Sequence, residues 1–455
     1  MFGPQSPYPD DKNLNLKFNS GGFNLDELVL GKLVDDKIGG RVEFHDGLPL
    51  DDLRTVCTIN QSIHRPFVTL TINLGESKHV FERFGSKGLQ GEEFVRIKFE
   101  TPTRDTIEQI FYVTGCEPVG KTQHDLGHAI TLHCVSKEKL INDISVVNKS
   151  FTKVTMHDTA KDIITNSILK NGQYRELAAA VGSSWKIPEW TSDETIGPQS
   201  FIIPGLTPFG AMRFLARRAF GGSQFKGSMY TFFENNKGYN FRNLENIIRD
   251  DIINRDSVPR FTYDQDMNSQ PRNSVGYFRN IQTMSPFLTA NTLKKIGSGA
   301  FSNRVRTIDH IKKKHFDTSF SMLDEYEGFK RVGNKFDMTN AFFNRFCKVP
   351  TDFTIIRDTT EPNDNFELMV GKRKAYAQFL STFGYQITVY GDTNLNVGQV
   401  INLDFIESGV KQVKEPSIYG GFYFITDLMH TFDKEKFNTT LSIAKDSLDT
   451  VHTEV

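Results

Sequence analysis

Two widely separated stretches of this chain alternate apolar and polar residues with period two, and that alternation restricts the fold more than any other feature. In the first stretch, Val68-Thr-Leu-Thr-Ile72 places Val68, Leu70 and Ile72 on one face, and Phe94-Val-Arg-Ile-Lys-Phe99 does the same with Val95, Ile97 and Phe99. Ile110-Phe-Tyr-Val-Thr114 and Ala129-Ile-Thr-Leu-His-Cys134 continue the series. The second stretch holds Tyr385–Tyr390, Val400–Phe405, Phe422–Leu428 and Thr440–Ala444. Successive side chains of a strand point to opposite faces, so such runs mark strands with one buried face. The 39 Phe, 13 Tyr and 35 Gly suit pleated surfaces joined by turns. The expected class is mainly β (α+β): two similar antiparallel β-barrel tube domains, 21–155 and 375–450, with α/β segments between them.

The two stretches correspond. Val95–Phe99 matches Ile401–Phe405, Tyr112-Val-Thr114 matches Phe424-Ile-Thr426, and Ile130–His133 matches Leu441–Ala444. Upstream, Val68–Ile72 is set against Gln386–Tyr390. The second copy is longer at the polar stretch Glu407–Ser417, where a loop tolerates insertion. A duplicated barrel has a geometric consequence. Three chains with two barrels each close a ring that meets a six-fold partner on one face and a three-fold partner on the other.

Residues 1–20, with prolines at 4, 7 and 9, are expected to form a flexible arm. Residues 156–250 are expected to be a helix-hairpin α+β domain. Thr159 is read as the cap of a helix carrying Ala160, Ile163, Ile164 and Ile168 that ends at Asn171-Gly172. Thr207 with Pro208 starts a second helix whose apolar face is Phe209, Met212, Leu215, Ala216 and Ala219. A hairpin turns at Asn235–Gly238. Residues 251–374, rich in Asn, Asp, Arg and Lys, are expected to be an irregular inserted or linking region.

A net charge of -1 supplies no global field toward nucleic acid or an anionic membrane. Cys57, Cys116, Cys134 and Cys347 are too few and too scattered for a disulfide framework. No apolar run approaches the roughly 18 residues of a membrane span, and the N-terminus carries no secretory h-region. Folding in a reducing cytoplasm is the expectation.

The run Thr207-Pro-Phe-Gly-Ala-Met-Arg-Phe-Leu-Ala-Arg-Arg-Ala219, followed by Tyr230-Thr-Phe-Phe-Glu-Asn-Asn-Lys-Gly-Tyr-Asn-Phe-Arg-Asn-Leu244, resembles the baseplate hub proteins of contractile-tailed phages. It is also similar to phage tail proteins of the D type and to the N-terminal part of VgrG-type spike proteins. Tyr390-Gly-Asp-Thr-Asn-Leu-Asn-Val-Gly-Gln-Val-Ile401 and the closing Thr426–Asp433 and Leu441–Asp446 carry the same resemblance. It covers residues 150–250 and 380–450 well and 21–150 in architecture only; the polar middle does not align. The resemblance implies a non-enzymatic homotrimeric ring in the virion tail baseplate, assembled in the host bacterial cytoplasm. Its implied partners are a central spike protein, a tail tube or tube-initiator protein and other baseplate proteins, with DNA passing through without specific binding. The chain ends soon after Asp446, so the spike is expected to be a separate chain. The alternatives are a cell-wall hydrolase and an effector-delivery spike component of a phage-like injection particle.

No catalytic, cofactor-binding or metal-ligating residue is assigned, and no cofactor is expected. His124, His128, His133, Cys116 and Cys134 are the densest cluster of metal-type side chains. Along a strand His133 and Cys134 face opposite ways, and His128 and His133, an odd number apart, diverge. Arg213, Arg217 and Arg218 either grip a phosphate or form a solvated face that complements the helix dipole. The basic runs Ile311–His315 and Gly371–Lys374 either line a DNA conduit or lie on solvated surface. Gly297-Ser-Gly299 lacks the strand, helix and Lys of a phosphate loop.

Overall fold

The computed structural model describes residues 19–446 apart from 37–40, 77–88, 90, 92, 102–105, 122–127, 222–226, 254–257, 264–273, 289–290, 311–312, 326–331, 333–342, 358–365 and 406–418. All but the last two residues of the expected arm, and the stretch Glu407–Ser417, lie outside the described residues.

The first alternating stretch forms β1 (Asn24–Asp36), β2 (Arg41–Pro49), β3 (Arg54–Ser62), β4 (Thr69–Glu76), β5 (Glu93–Glu100), β6 (Thr106–Lys121) and β7 (His128–Ser136). Then come β8 (Val147–Val154), β9 (Glu189–Ser192), β10 (Gln199–Leu206), β11 (Tyr230–Asn235), β12 (Gly238–Asn243), β13 (Arg260–Tyr263), β14 (Thr283–Leu288), β15 (Ser302–Asp309), β16 (Lys314–Ser321) and β17 (Thr351–Arg357). The chain closes with β18 (Phe383–Tyr390), β19 (Val400–Phe405), β20 (Gly421–Phe432) and β21 (Phe437–Lys445). The fold is mainly β with antiparallel pairing dominant.

One 13-stranded sheet runs β14-β18-β21-β20-β3-β4-β7-β6-β5-β1-β2, with β19 branching from β20 and β13 pairing β19. Among the described residues it does not close on itself. Within it a five-strand order occurs twice: β3-β4-β7-β6-β5 and β14-β18-β21-β20-β19. The repeat extends to its irregularities. β6 bulges at Thr114, between the pairs Val113↔Cys134 and Gly115↔His133. β20 bulges at Thr426, between Ile425↔Ile443 and Asp427↔Ser442. In each copy the threonine hydroxyl donates across the bulge, Thr114 Oγ1 to the His133 carbonyl at 3.0 Å and Thr426 Oγ1 to the Ser442 carbonyl at 3.1 Å.

These registers refine the expected correspondences. Phe94 faces Tyr112 as Val400 faces Phe424, so Val95–Phe99 and Ile401–Phe405 match as read. In β7 and β21 the true partner of Ser442 is His133, two residues from the expected Thr131, which keeps every side chain on its face. In β4 and β18 the slip is three. Ile72 faces Leu132 as Ile387 faces Leu441, so Ile72, and not the expected Thr69, matches Ile387. An odd slip inverts the faces, and Gln386 is exposed while Ile387 is fully buried.

Each copy has its own core. Leu70, Ile72, Val95, Ile97, Phe99 and Leu132 fill the first. Ile387, Val389, Ile401, Leu403, Leu441 and Ile443 belong to the second. The copies are joined edge to edge. At its bulge β20 changes neighbour: Gly421–Phe424 pair β19, whereas Asp427–Phe432 pair Ser62–Cys57 of β3. Bulges sharpen local twist, which re-aims the rest of the strand toward the other copy.

Between the copies, the helix expected from Thr159 instead spans Met156–Ile163, and its cap is Thr155, whose side chain accepts the Asp158 N–H. Thr159 lies inside, its hydroxyl donating to the Thr155 carbonyl at 2.9 Å. The helix continues as a π-turn segment, Ile164–Leu169, and Asn171-Gly172 caps and begins a new helix, Gly172–Val181, rather than ending the chain's helical run. The helix Pro208–Arg218 starts as read, with Thr207 accepting the Gly210 N–H and Phe209, Met212 and Leu215 buried.

The described residues of the segment 251–374, expected to be irregular, form strands and helices. β13 and β14 join the large sheet, and β15 forms the centre of a three-stranded sheet with β16 and β17, covered by the helix Phe366–Leu380. Its alternation escaped a hydropathy reading because the buried face of β15 is largely polar: Asn303, Val305, Thr307 and Asp309. The other face carries Arg304 and Arg306, paired with Asp352 and Asp317.

Candidate functional site

The hairpin β11–β12 sits where the two copies meet. Its turn has two residues, Asn236 and Lys237, between the pair Asn235↔Gly238. Gly238 has φ +141°, and a Cβ there would lie 2.3 Å from the Glu189 carbonyl oxygen, so only glycine lets β9 run alongside β12. The turn reaches both copies. Gln61 of β3 donates to Asn236 Oδ1 at 2.7 Å, and Asn236 donates to the Thr393 carbonyl at 3.4 Å. Thr231 Oγ1 donates to the Ile63 carbonyl at 2.9 Å. Phe233 lies against Gly398, which has φ +83°.

The Gly-Asp turn before β19 is built for the same junction. A Cβ on Gly391 would lie 2.0 Å from the Phe437 ring. Asp392, 1% exposed, pairs with Arg279, 7% exposed, at 2.8 Å. A buried carboxylate is tolerated only with such a partner.

A cluster of buried polar groups missed by sequence reading lies on the first-copy side. Glu234, last residue of the aromatic-aromatic-Glu run, accepts the Val68 N–H at 3.0 Å and the Ser136 hydroxyl at 2.6 Å. Glu138 accepts the Tyr174 hydroxyl at 2.9 Å and lies 3.0 Å from Lys137 Nζ. Burial, helped by the Glu138 charge, pushes the Glu234 carboxyl up to about 8. Both glutamates line a cavity of about 540 Å³. Two carboxyls in a cavity are the raw material of glycoside hydrolysis. Here, however, both carboxylates take internal donors that tie Val68, β7, two helices and the hairpin together. Sequence carried a faint signal, since Glu234 breaks an otherwise aromatic buried run.

The residues weighed from sequence are not brought together. His124 lies outside the described residues, as do the side chain of His128 and residues 311–312. His133 pairs with Glu117 at 3.4 Å, while Cys134 is buried on the opposite face, where desolvation raises its thiol pKa. Among the described residues no group of three or more His, Cys, Asp or Glu is placed to hold a metal. Arg213 donates to the His64 carbonyl at 3.1 Å, and Arg218 stacks 3.7 Å from the Phe214 ring centroid. Gly299, at φ +74°, follows the helix Thr292–Gly297, so the glycine pair marks a helix end.

In the run Gly371–Lys374, Gly371 and Lys372 are buried and Arg373 and Lys374 are half-buried, so the run packs inward more than a solvated surface would. Gly371 abuts Asn303, Lys372 is 7% exposed and 3.3 Å from Glu325, and Lys374 stands 3.0 Å over the Phe353 ring. Arg373 donates to the carbonyls of Ala216 at 2.6 Å and Tyr230 at 2.9 Å. It thereby satisfies a carbonyl in the last turn of the helix Pro208–Arg218 and ties that helix to β11. Lys314 and His315 are exposed at the start of β16.

No family model and no curated protein matches this sequence. Among solved structures, the chain superposes on the 43 kDa tail protein of prophage MuSo2 from Shewanella oneidensis with a TM-score of 0.52 at 10% identity, covering 93% of this chain and 99% of that one. A tail protein from Neisseria meningitidis MC58 gives 0.49 at 12% identity, covering 93% and 97%. The MuSo2 match spans nearly all of both molecules, so this chain has the fold of a phage tail protein. No helix among the described residues is long and apolar enough to cross a membrane.

Proposed function

We propose that this chain is the structural hub of a contractile phage-tail baseplate: a homotrimeric ring that adapts a six-fold tail tube to a three-fold central spike and encloses a conduit for DNA. The observation that carries the reading is the five-strand unit present twice in one chain, down to the bulge threonines, and joined edge to edge through β20 and β3. In this reading each unit is one barrel wall, the first within 21–155 and the second formed by 375–450 with β14 added from outside that range, and neighbouring subunits complete the closure. The junction residues serve rigidity. Hydrogen bonds between the hairpin and both copies hold the angle between them, and that angle sets the symmetry of the ring.

Native mass spectrometry of the full chain at micromolar concentration tests this directly. The expected species is a trimer near three times 51.7 kDa. A monomer, both alone and with its spike partner, overturns the hub. The hydrolase alternative can draw on Glu138 and Glu234, so peptidoglycan digestion is the second assay, with no release of soluble fragments expected.

A further inference from the structure

The seam between the copies, transposed by the internal repeat, assigns the subunit interface. Within the chain, β3 of the first copy pairs the outer edge of β20 of the second. The counterpart of β3 is β14, and the counterpart of the outer half of β20 is Gly115–Lys121 of β6. β14 pairs β18 on one edge, and its other edge meets no strand among the described residues. The outer half of β6 pairs β7 on one edge, and β5 covers only Thr106–Tyr112 of the other. Among the described residues two edges thus remain open, and they are the counterparts of the two halves of a contact the chain already makes with itself.

We propose that β14 of one subunit pairs antiparallel with Glu117–Lys121 of β6 of the next, continuing the sheet around the ring. The register follows from the strand equivalences. Phe432↔Cys57 becomes Lys121↔Met284, Thr431↔Thr58 becomes Gly120↔Ser285, and His430↔Ile59 becomes Pro118↔Pro286. Pro118 and Pro286 fall opposite each other, so the missing amide donors coincide at one position of the ladder. The surface agrees with the assignment. Thr283, Ser285 and Pro286 are exposed, and Phe287 is a large apolar side chain 49% exposed on this strand. An open strand edge is a template for pairing with another chain, and a head-to-tail contact of this kind closes into a ring. The occupant is a second copy of this chain because the matching edge is on the chain itself.

This inference rests on the trimer reading, and the experiment separates the two. In a Cys116→Ser background, two double variants are made: Gly120→Cys with Ser285→Cys, and Lys121→Cys with Met284→Cys. Facing residues of antiparallel strands lie about 4.5 or 5.5 Å apart in alternation, within the span of a disulfide. Because the pairs are adjacent, one is of the closer kind. Mild oxidation is expected to convert at least one variant to covalent trimer on a non-reducing gel, and reduction to return it to monomer. Hydrogen exchange on the unmodified chain gives a readout without mutation. Amides of Glu117–Lys121 and Thr283–Leu288 are expected to be as protected in the assembled protein as those of Asp427–Phe432. A native trimer with neither covalent product nor protection overturns the seam alone. A native monomer overturns the hub reading and the seam together.

Discussion

Single residues at the junction carry charge into places where water does not follow, and their behaviour with pH and substitution is determined by that. The Glu234 carboxyl is pushed up to about 8 by burial, against an ordinary value of 4.5. A raised folded-state pKa means the native protein holds the proton more tightly than the unfolded chain. The contribution of Glu234 is therefore full below about pH 4.5 and is lost as pH rises through about 8. Glu234→Gln keeps an acceptor for the Val68 N–H and the Ser136 hydroxyl without the charge. Urea titrations are expected to show the variant equal to wild type near pH 4.5 and more stable above pH 8. Identical pH profiles would contradict this. Arg279→Ala leaves Asp392 buried without its cation, and the expected loss is about 3–5 kcal/mol, read from the same titrations.

Elements hold their places through caps and turns that sequence announces with uneven clarity. Thr207 and Pro208 were legible because an N-cap side chain followed by proline satisfies the first helical amides in a recognisable order. The cap at Thr155 was missed because Thr159 offers the same chemistry one turn later, and only the path of the chain out of β8 decides between them. Thr207→Ala is expected to cost about 1 kcal/mol, whereas Gly238→Ala should cost more than about 1 kcal/mol, since it adds backbone strain to a clash. Thermal melts in parallel would show the order. A Gly238→Ala melt at or above that of Thr207→Ala would mean that β9 does not depend on the close approach.

For the whole molecule, the central fact is that the repeat is a unit of pairing as well as of sequence. The continuous sheet across β20 and β3 joins the two copies into one sheet, as the proposed ring requires. It also changes where such a ring would be broken. Val68, on the apolar face that alternation defines, is 2% exposed in the first core, so Val68→Glu places its charge there and not at an exposed edge. A charge there is expected to unfold the subunit rather than release intact monomers, and light scattering with circular dichroism distinguishes the outcomes. Subunit release is instead expected from β14 and the outer half of β6.

The sequence by itself determined four of the five strands of each copy, because a half-buried strand must alternate and Val95, Ile97, Phe99, Ile401 and Leu403 do so visibly; β3 and β14 were not read. It also determined that the copies are related, the helix beginning at Thr207 and the glycine turn of the hairpin. Tertiary structure decided what alternation cannot. A period-two pattern matches itself at every even shift, so the match of β7 to β21 was set by backbone pairing alone. β15 was invisible because three residues of its buried face, Asn303, Thr307 and Asp309, are polar and lie beneath a helix. The Gly371–Lys374 run read as surface until folding brought Arg373 to the carbonyls of Ala216 and Tyr230. The seam could not be read at all, since which strand edge meets which is a property of space, and no residue along the chain records it.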